Sequence, residues 1–467
     1  MFAGRYRELE ALERYYREDA FHMAVFYGRR RVGKTTLINK FREGKLSINF
    51  TAVESTAKEN LQLLSIQINA VLDPGRSGNY FYRFYDAFEY CFQAAMKKHL
   101  ILVIDEYPYL AESDRAVSSI LQALIDKYQN NTRLFLILCG SSMSFMENQV
   151  LGYKSPLYGR RSSQFKIEPF RYYESAQMLT GFNVIDKITL YGICGGIPEY
   201  IARINNSLSV QQNAENLFFN PSGRLYEEPS NLLKQELKAP QTYNAIISAA
   251  ASGATKMNEI ASIVGIETSQ CSNMLSTLTT LGIIKKENPV GDDKAKPTRK
   301  SIYLLADFMF RFWYSFVRPN MSRISMGLGK TVSAEIFDKS SGIIETYMGL
   351  VFEECAVQFL WRELAREKIN FRTIGRWWGP NPKEKKEEEI DILAIDENRK
   401  ALFGECKWKN IKIGNDVHED LIRKAEMIPN ILGKRYVLFS KSNFTPQLIK
   451  TAEQRNDTML ITPAQMF

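Results

Sequence analysis

Histidine is scarce in this chain: His22, His99 and His418 are the three in 467 residues. A histidine-built metal cage or a Ser-His-Asp triad has almost no raw material here. Cysteine is sparse too. The six residues Cys91, Cys139, Cys194, Cys271, Cys355 and Cys406 are scattered, with no CxxC pair. That argues against a zinc knuckle or a disulfide framework. Apolar runs such as Leu100 to Ile104 are too short to cross a bilayer. The opening MFAGRYRELE is charged from Arg5 onward and lacks the apolar core of a leader peptide. These absences lead us to expect a soluble protein of a reducing, cytoplasmic compartment, with no membrane partner.

What is present is ordinary for folded domains: 45% hydrophobic and 24% charged residues. At about 150 residues per domain the length suggests about three domains, each able to bury its own core. The net charge of +9 suits a polyanionic partner such as DNA without establishing one.

The first 205 residues alternate short apolar runs with helical patterns. HMAVFYG (22–28), LSINFTA (46–52), LILVIDEY (100–107), RLFLILCG (133–140) and SQFKIEP (163–169) read as strands. Near-continuous apolar strands between helices predict an α/β domain whose parallel sheet is covered on both faces. Residues 206–240 are polar and read as a helical lid or connector. Residues 241–320 predict three short helices broken by Gly, then strand, basic loop and strand, which is a winged-helix pattern. The aromatic helix ADFMFRFWYSFV closes that segment. Residues 321–467 begin with MSRISMGLGK, read as a linker. A long helix follows from about Ala334 to Glu363. The strands EIDILAI and ALFGECKW flank a turn at Asp396–Asn398, and further helices and strands complete an α/β unit. KEKKEEEI (383–390) reads as a solvated loop.

Chemistry concentrates first at Gly28-Arg29-Arg30-Arg31-Val32-Gly33-Lys34-Thr35, followed by Thr36. This G-x-x-x-x-G-K-[ST] pattern stands directly after a strand and before a helix, the context a phosphate-binding loop requires. Its glycines let backbone N–H groups close on phosphates, Lys34 supplies a positive charge, and the Thr35 hydroxyl suits Mg²⁺. Asp105 and Glu106 end an apolar strand, where an α/β sheet binds its ligands. Asp105 suits a second contact to the metal, and Glu106 suits the orientation or deprotonation of a water. Ser141, at the end of a further apolar strand, is placed either to sense a terminal phosphate or simply to cap the strand. Arg160 and Arg161 are candidates for an arginine finger, with surface ion pairing as the rival reading.

GRYRELEAL, GRRRVGKT, LVIDEYPYL, YGRRSSQF and GGIPEYI (195–201), in this order, resemble the archaeal-type P-loop ATPases of the AAA+/STAND group. The resemblance spans roughly residues 1–320 with the winged helix included. It implies ATP as the nucleotide. It also implies that Phe2, Ala3, Gly4 and Arg5, with Glu8, pack near the adenine, and that the box Gly196-Ile197-Pro198 meets the nucleotide. In such proteins the winged helix often acts as a lid or coupler. Its recognition helix here (268–281) carries no Lys or Arg, whereas the wing carries Lys285, Lys286, Lys294, Lys296, Arg299 and Lys300. Contact of that wing with a phosphate backbone is the DNA-binding expectation.

Near the C-terminus Glu405 and Lys407 lie two apart on one strand and so share a face. The turn at about 396–400 brings Asp391 beside them, and Glu353 on the upstream helix completes the set. Two hard oxygen ligands for Mg²⁺, Asp391 and Glu405, with a lysine to orient or activate water, make a plausible hydrolytic site. Both acids interrupt apolar runs, and buried acids need a partner, a cation or a proton. The set resembles the D…ExK core of PD-(D/E)xK nucleases, and more narrowly the nuclease-like domain fused to archaeal-type ATPases. FRFWY (310–314) and VFE (351–353) fit that fusion. Trp377, Trp378 and Trp408 suit either base stacking or ordinary packing.

The expectation is therefore a P-loop ATPase domain (1–205), a connector (206–240), a winged helix (241–320) and a restriction-endonuclease-like α/β domain (321–467). Three readings follow: an ATP-controlled nuclease, a nucleotide switch signalling to a protein partner, and a DNA regulator. The oligomeric state is left open.

Overall fold

The computed structural model describes residues 2–75, 80–291, 300–367, 371–381 and 384–467. Two compact units divide it: 1–169 with 197–199, and 170–196 with 200–467.

The first unit is built on five parallel strands: β1 (His22–Tyr27), β2 (Ser47–Thr51), β3 (Leu100–Asp105), β4 (Leu134–Gly140) and β5 (Ser163–Lys166). They lie in the order β2-β3-β4-β1-β5. All five strands anticipated from the apolar runs form. β1, β3 and β4 are buried along their whole length, which is why their sequences show no polar alternation. Burying each Val, Leu, Ile or Phe contributes about 1.5–3 kcal/mol. The helices Ala57–Leu72, Phe84–Lys97 and Val117–Tyr128 feed Leu64, Phe88 and Leu121 into the core beside the sheet. Thr56 caps the first of them by accepting from the Glu59 N–H, worth about 1 kcal/mol.

The important feature for function is the strand order. β4 stands between β1 and β3, so the C-terminal ends of three neighbouring strands carry the phosphate loop, Ser141 and Asp105 side by side.

In the second unit three helices, Pro240–Ala251, Met257–Val264 and Thr268–Thr280, precede an antiparallel pair, β6 (Ile284–Glu287) and β7 (Ile302–Leu305). Lys294, Lys296 and Arg299 lie outside the described residues. The aromatic segment packs inward: Trp313 is buried and its Nε1–H donates to the Tyr226 carbonyl at 2.6 Å. A second sheet follows: β8 (Phe371–Asn381), β9 (Lys386–Asp396), β10 (Lys400–Lys407), β11 (Gly433–Ser440) and β12 (Thr458–Ile461). Its order is β12-β11-β10-β9-β8, antiparallel from β8 to β10 and parallel from β10 to β12.

Several expectations fail here. The segment read as a linker is helical over Met321–Arg323 and again from Gly329. The long helix is two helices, Gly329–Phe337 and Ile343–Glu367, broken where Asp338 leaves helical geometry and Gly342 takes φ 65°. Of KEKKEEEI, Lys383 lies outside the described residues and Glu384–Lys385 form a turn, but Lys386–Ile390 pair with β8, and Glu388 is buried against Asn381 and Arg423. Charge alternation concealed a strand whose acidic residues find partners. Strand β8 itself had no reading in the sequence.

Candidate functional site

The loop between β1 and the helix Lys34–Arg42 requires its glycines. Gly28 has φ 152°, and a Cβ there would stand 2.3 Å from the Ile167 carbonyl oxygen. Gly33 has φ 92° and starts the helix from the left-handed region that glycine tolerates. A Cβ on Gly33 would lie 3.7 Å from Pro198 Cγ, so Pro198 stands over the phosphate loop. Arg31 also takes a left-handed conformation, and Arg29 and Val32 are buried.

Lys34 is 7% exposed, and its Nζ donates to the Gly28 and Arg29 carbonyls at 2.7 and 2.8 Å. The ammonium thus bonds the backbone of its own loop, in the place where phosphate oxygens would compete for it. Thr35 Oγ1 donates to Asp105 Oδ2 at 3.0 Å, and Asp105 Oδ1 accepts the Glu106 N–H at 3.0 Å. Hydroxyl and carboxylate oxygens in contact fit the hard-oxygen preference of Mg²⁺. Thr36 is exposed beside them.

Glu106 is held in the left-handed region at φ 51°. Its Oε2 accepts from Ser141 Oγ at 2.9 Å and from the Ser141 N–H at 3.3 Å. Ser141 therefore grips the carboxylate that sequence reasoning cast as the base, a contact invisible in the sequence. Gly4 and Arg5 both have φ 60°. Arg5 bonds the Val32 carbonyl at 3.2 Å and the Glu168 carbonyl, with Glu8 at 3.5 Å, which fastens the N-terminal box to the phosphate loop. Phe2 rests edge-on against Tyr6, and Ala3 is buried. Arg30 donates to Tyr109 Oη at 3.1 Å, and Tyr109 had no role in the sequence reading. Arg160 makes a two-pronged pair with Asp126 at 2.8 and 2.7 Å, while Arg161 lies over the Tyr158 ring. Neither guanidinium has a phosphate-loop partner among the described residues.

In the second unit the register Gly404↔Ile392 carries Asp391 alongside Glu405. Asp391 Oδ2 accepts the Cys406 N–H at 2.8 Å. Glu405 Oε1 accepts from Lys407 Nζ at 2.5 Å, and Glu405 Oε2 is buried without a hydrogen-bond partner, 3.9 Å from Lys424 Nζ. Glu353 is bonded to Arg376 of β8. Burial, then the charges of Glu353 and Glu405, hold the Asp391 carboxyl well above the ordinary range. Burial also raises Glu353, partly offset by Arg376. Burial opposes the Lys407 ammonium, but Glu405 beside it outweighs that and raises its pKa. Acids that resist ionising together, with one oxygen unbonded, suit a cation. Among the described residues, however, no three His, Cys, Asp or Glu side chains converge as a ready metal site. Glu353 is turned onto Arg376 instead.

The raised Asp391 pKa has a testable sign. A carboxyl whose folded pKa exceeds its unfolded value destabilises the fold when ionised, and this cost disappears as pH falls through the folded pKa. In EDTA, Asp391→Asn is expected to raise the thermal midpoint at pH 8. The gain should shrink at pH 5. A gain that is absent, or equal at both pH values, would contradict the burial argument.

Other expected residues are placed differently. Lys285 does not project from the hairpin; it bridges Glu287 at 2.6 Å and Glu354 at 2.9 Å. Its neighbours on β6 and on the helix Ile343–Glu367 claim its charge. Lys286 lies over the Tyr303 ring. Trp378 and Trp408 are buried, Trp408 against Phe352, and Trp377 packs on the second sheet, so packing explains all three. Gly196 admits no side chain, since a Cβ would meet the Phe170 carbonyl oxygen at 1.9 Å.

Comparison with known proteins fits this geometry. Residues 2–204 match the family described as an ATPase domain predominantly from Archaea. An uncharacterized protein of Methanocaldococcus jannaschii is 30% identical over 435 residues, 92% of each chain. The chain belongs to this archaeal ATPase family. An uncharacterized ATP-binding protein of the same organism is 56% identical over 45 residues, 10% of this chain and 76% of the relative. A Walker-type ATPase of Pyrococcus abyssi superposes with a TM-score of 0.50 at 18% identity, covering 67% of this ATPase and 96% of that chain, and so shares the fold. Residues 313–419 match archaeal and bacterial proteins of unknown function. No helix among the described residues is long and apolar enough to cross a membrane.

Proposed function

We propose that this archaeal-type ATPase binds and hydrolyses ATP with Mg²⁺ and thereby controls a nuclease-like C-terminal region acting on DNA. The contact of Thr35 with Asp105, beside Lys34, supports the first half. Mg²⁺ at Thr35 and Asp105 would neutralise phosphate charge. Lys34 leaves its loop carbonyls for phosphate oxygens. Glu106, once released by Ser141, accepts a proton from the attacking water. Pro198 and Arg5 position the nucleotide end of the loop. Arg160 or Arg161 acts as a finger only after leaving its present contact, or on a neighbouring copy.

The observation that carries the second half is the meeting of Asp391, Glu405 and Lys407 on two adjoining strands, with Glu353 adding its charge from the helix. Three helices and a hairpin at 241–320 support the winged-helix reading, with Lys285, Lys286 and Lys300 its described basic residues. The domain limits 1–205, 206–240, 241–320 and 321–467 belong to the same proposal. The capture of Glu353 by Arg376 favours a second reading, a nucleotide switch whose C-terminal region signals to a protein partner without cleaving anything.

Plasmid and linear DNA, incubated with Mg²⁺ or Mn²⁺ with and without ATP, decide between them. We expect wild-type cleavage that the double variant Asp391→Ala/Lys407→Ala loses. No cleavage alongside intact ATP turnover would establish the switch instead.

A further inference from the structure

A cavity of about 480 Å³ opens beside Asp391 within the second unit. Its wall is drawn from β6, the helices Phe308–Phe312 and Ile343–Glu367, and strands β8 and β9. Most charged groups on that wall are paired, two cations with three acids. Lys285 bridges Glu287 and Glu354, and Arg376 holds Glu353. Two groups are left over. Asp391 has no cationic partner within ion-pair distance among the described residues, only the Cys406 N–H. Arg311 has no carboxylate partner among them either. Its guanidinium lies 4.6 Å from the Tyr347 ring centre, and its Nη1 is buried with no hydrogen-bond acceptor.

A buried guanidinium N–H without an acceptor is costly, and an anion reaching the partly exposed Arg311 from outside relieves that cost. Arginine's planar fork matches a phosphate's oxygens. A wall bearing one unpaired cation and one unpaired acid complements a phosphate ester accompanied by a divalent ion. The size of the cavity narrows the ligand further. Its volume is that of a small-ligand pocket, sufficient for a nucleotide but not for a duplex, whose major groove alone is about 12 Å wide.

We propose that this cavity receives the phosphate backbone of a single-stranded nucleic acid, with Arg311 as the phosphate-binding residue. The proposal rests on the reading of Asp391 and its neighbours as a nucleic-acid site and adds the substrate class: an unpaired strand or strand end rather than continuous duplex. Tyr347 supports Arg311 from below, as the face of an aromatic ring supports a cation.

Fluorescence anisotropy of a labelled single-stranded DNA oligonucleotide, in Ca²⁺ and in EDTA, tests the site on the full chain. Arg311→Gln is expected to weaken binding about tenfold, the loss of one charged hydrogen bond, while Arg311→Lys recovers part of it. The matching blunt duplex should bind less well than the single strand. In the wild-type protein, the oligonucleotide should protect Arg311 from phenylglyoxal, as mapped by peptide mass; this readout needs no variant to fold. Equal affinity of wild type and Arg311→Gln, absence of protection, or preference for duplex would each overturn the proposal. Arg311-dependent binding of AMP without binding of the oligonucleotide would overturn the strand assignment. Cleavage abolished by Asp391→Ala/Lys407→Ala with binding indifferent to Arg311 sinks this inference alone. Arg311-dependent binding without any cleavage sinks the nuclease reading alone.

Discussion

Lys34→Ala is expected to leave the protein folded and to weaken ATP binding by at least about a hundredfold, since charged hydrogen bonds to phosphate contribute about 1.5–3 kcal/mol each. In the wild type, the amine donates to the Gly28 and Arg29 carbonyls. Removing it costs the loop those two bonds, but the left-handed glycines and the Arg5 contact to Val32 still set its path. Stability should therefore fall much less than affinity. Titration with a fluorescent ATP analogue, paired with a thermal melt, separates the two effects. Unchanged affinity would remove Lys34 from the phosphate site.

Glu106→Gln should give the opposite signature: ATP bound at near wild-type affinity and turned over about 10²–10⁴ times more slowly, the range set by loss of a positioned base. The amide oxygen can still accept from Ser141 Oγ, so the local geometry survives while the proton acceptor is lost. Steady-state phosphate release, together with the same binding titration, gives the split. Turnover at the wild-type rate would take the base role from Glu106 and shift attention to a water held by other groups.

The parts of the fold that could be read from sequence were those fixed by local pattern. LILVI and LFLILC are apolar at every position because both faces are covered, and they lie in β3 and β4. The G-x-x-x-x-G-K-T spacing encodes a loop whose geometry is almost wholly local. Strand β8 escaped notice because FRTIGRWWGPN mixes charge, glycine and proline at a sheet edge, where side chains answer to several environments. The break at Asp338–Gly342 did carry a local signal, the polar Gly-terminated run DKSSG, which the reading of one long helix passed over. At the C-terminal site, Asp391, Glu405 and Lys407 were legible from strand periodicity and a turn. Arg376 and Arg311 were not, because their placement depends on contacts between segments far apart in sequence. Ser141 lay at a predicted strand end, but its hold on Glu106 follows from β4 lying beside β3, a fact of strand order that no local window contains.

Pro198 belongs by its packing to the first unit, although the stretch 170–196 that leads to it and everything from Tyr200 belong to the second. The polypeptide therefore changes unit three times. A fragment ending at Pro169 would lack the proline that stands over Gly33, and a fragment beginning at Phe170 would carry that proline and the apolar Ile197 with no home for them. Modules joined end to end can be exchanged by recombination at one junction. These two share no single junction, so an exchange at any one point of the chain would separate the Ile197–Glu199 segment from the unit it packs with or from the chain that carries it.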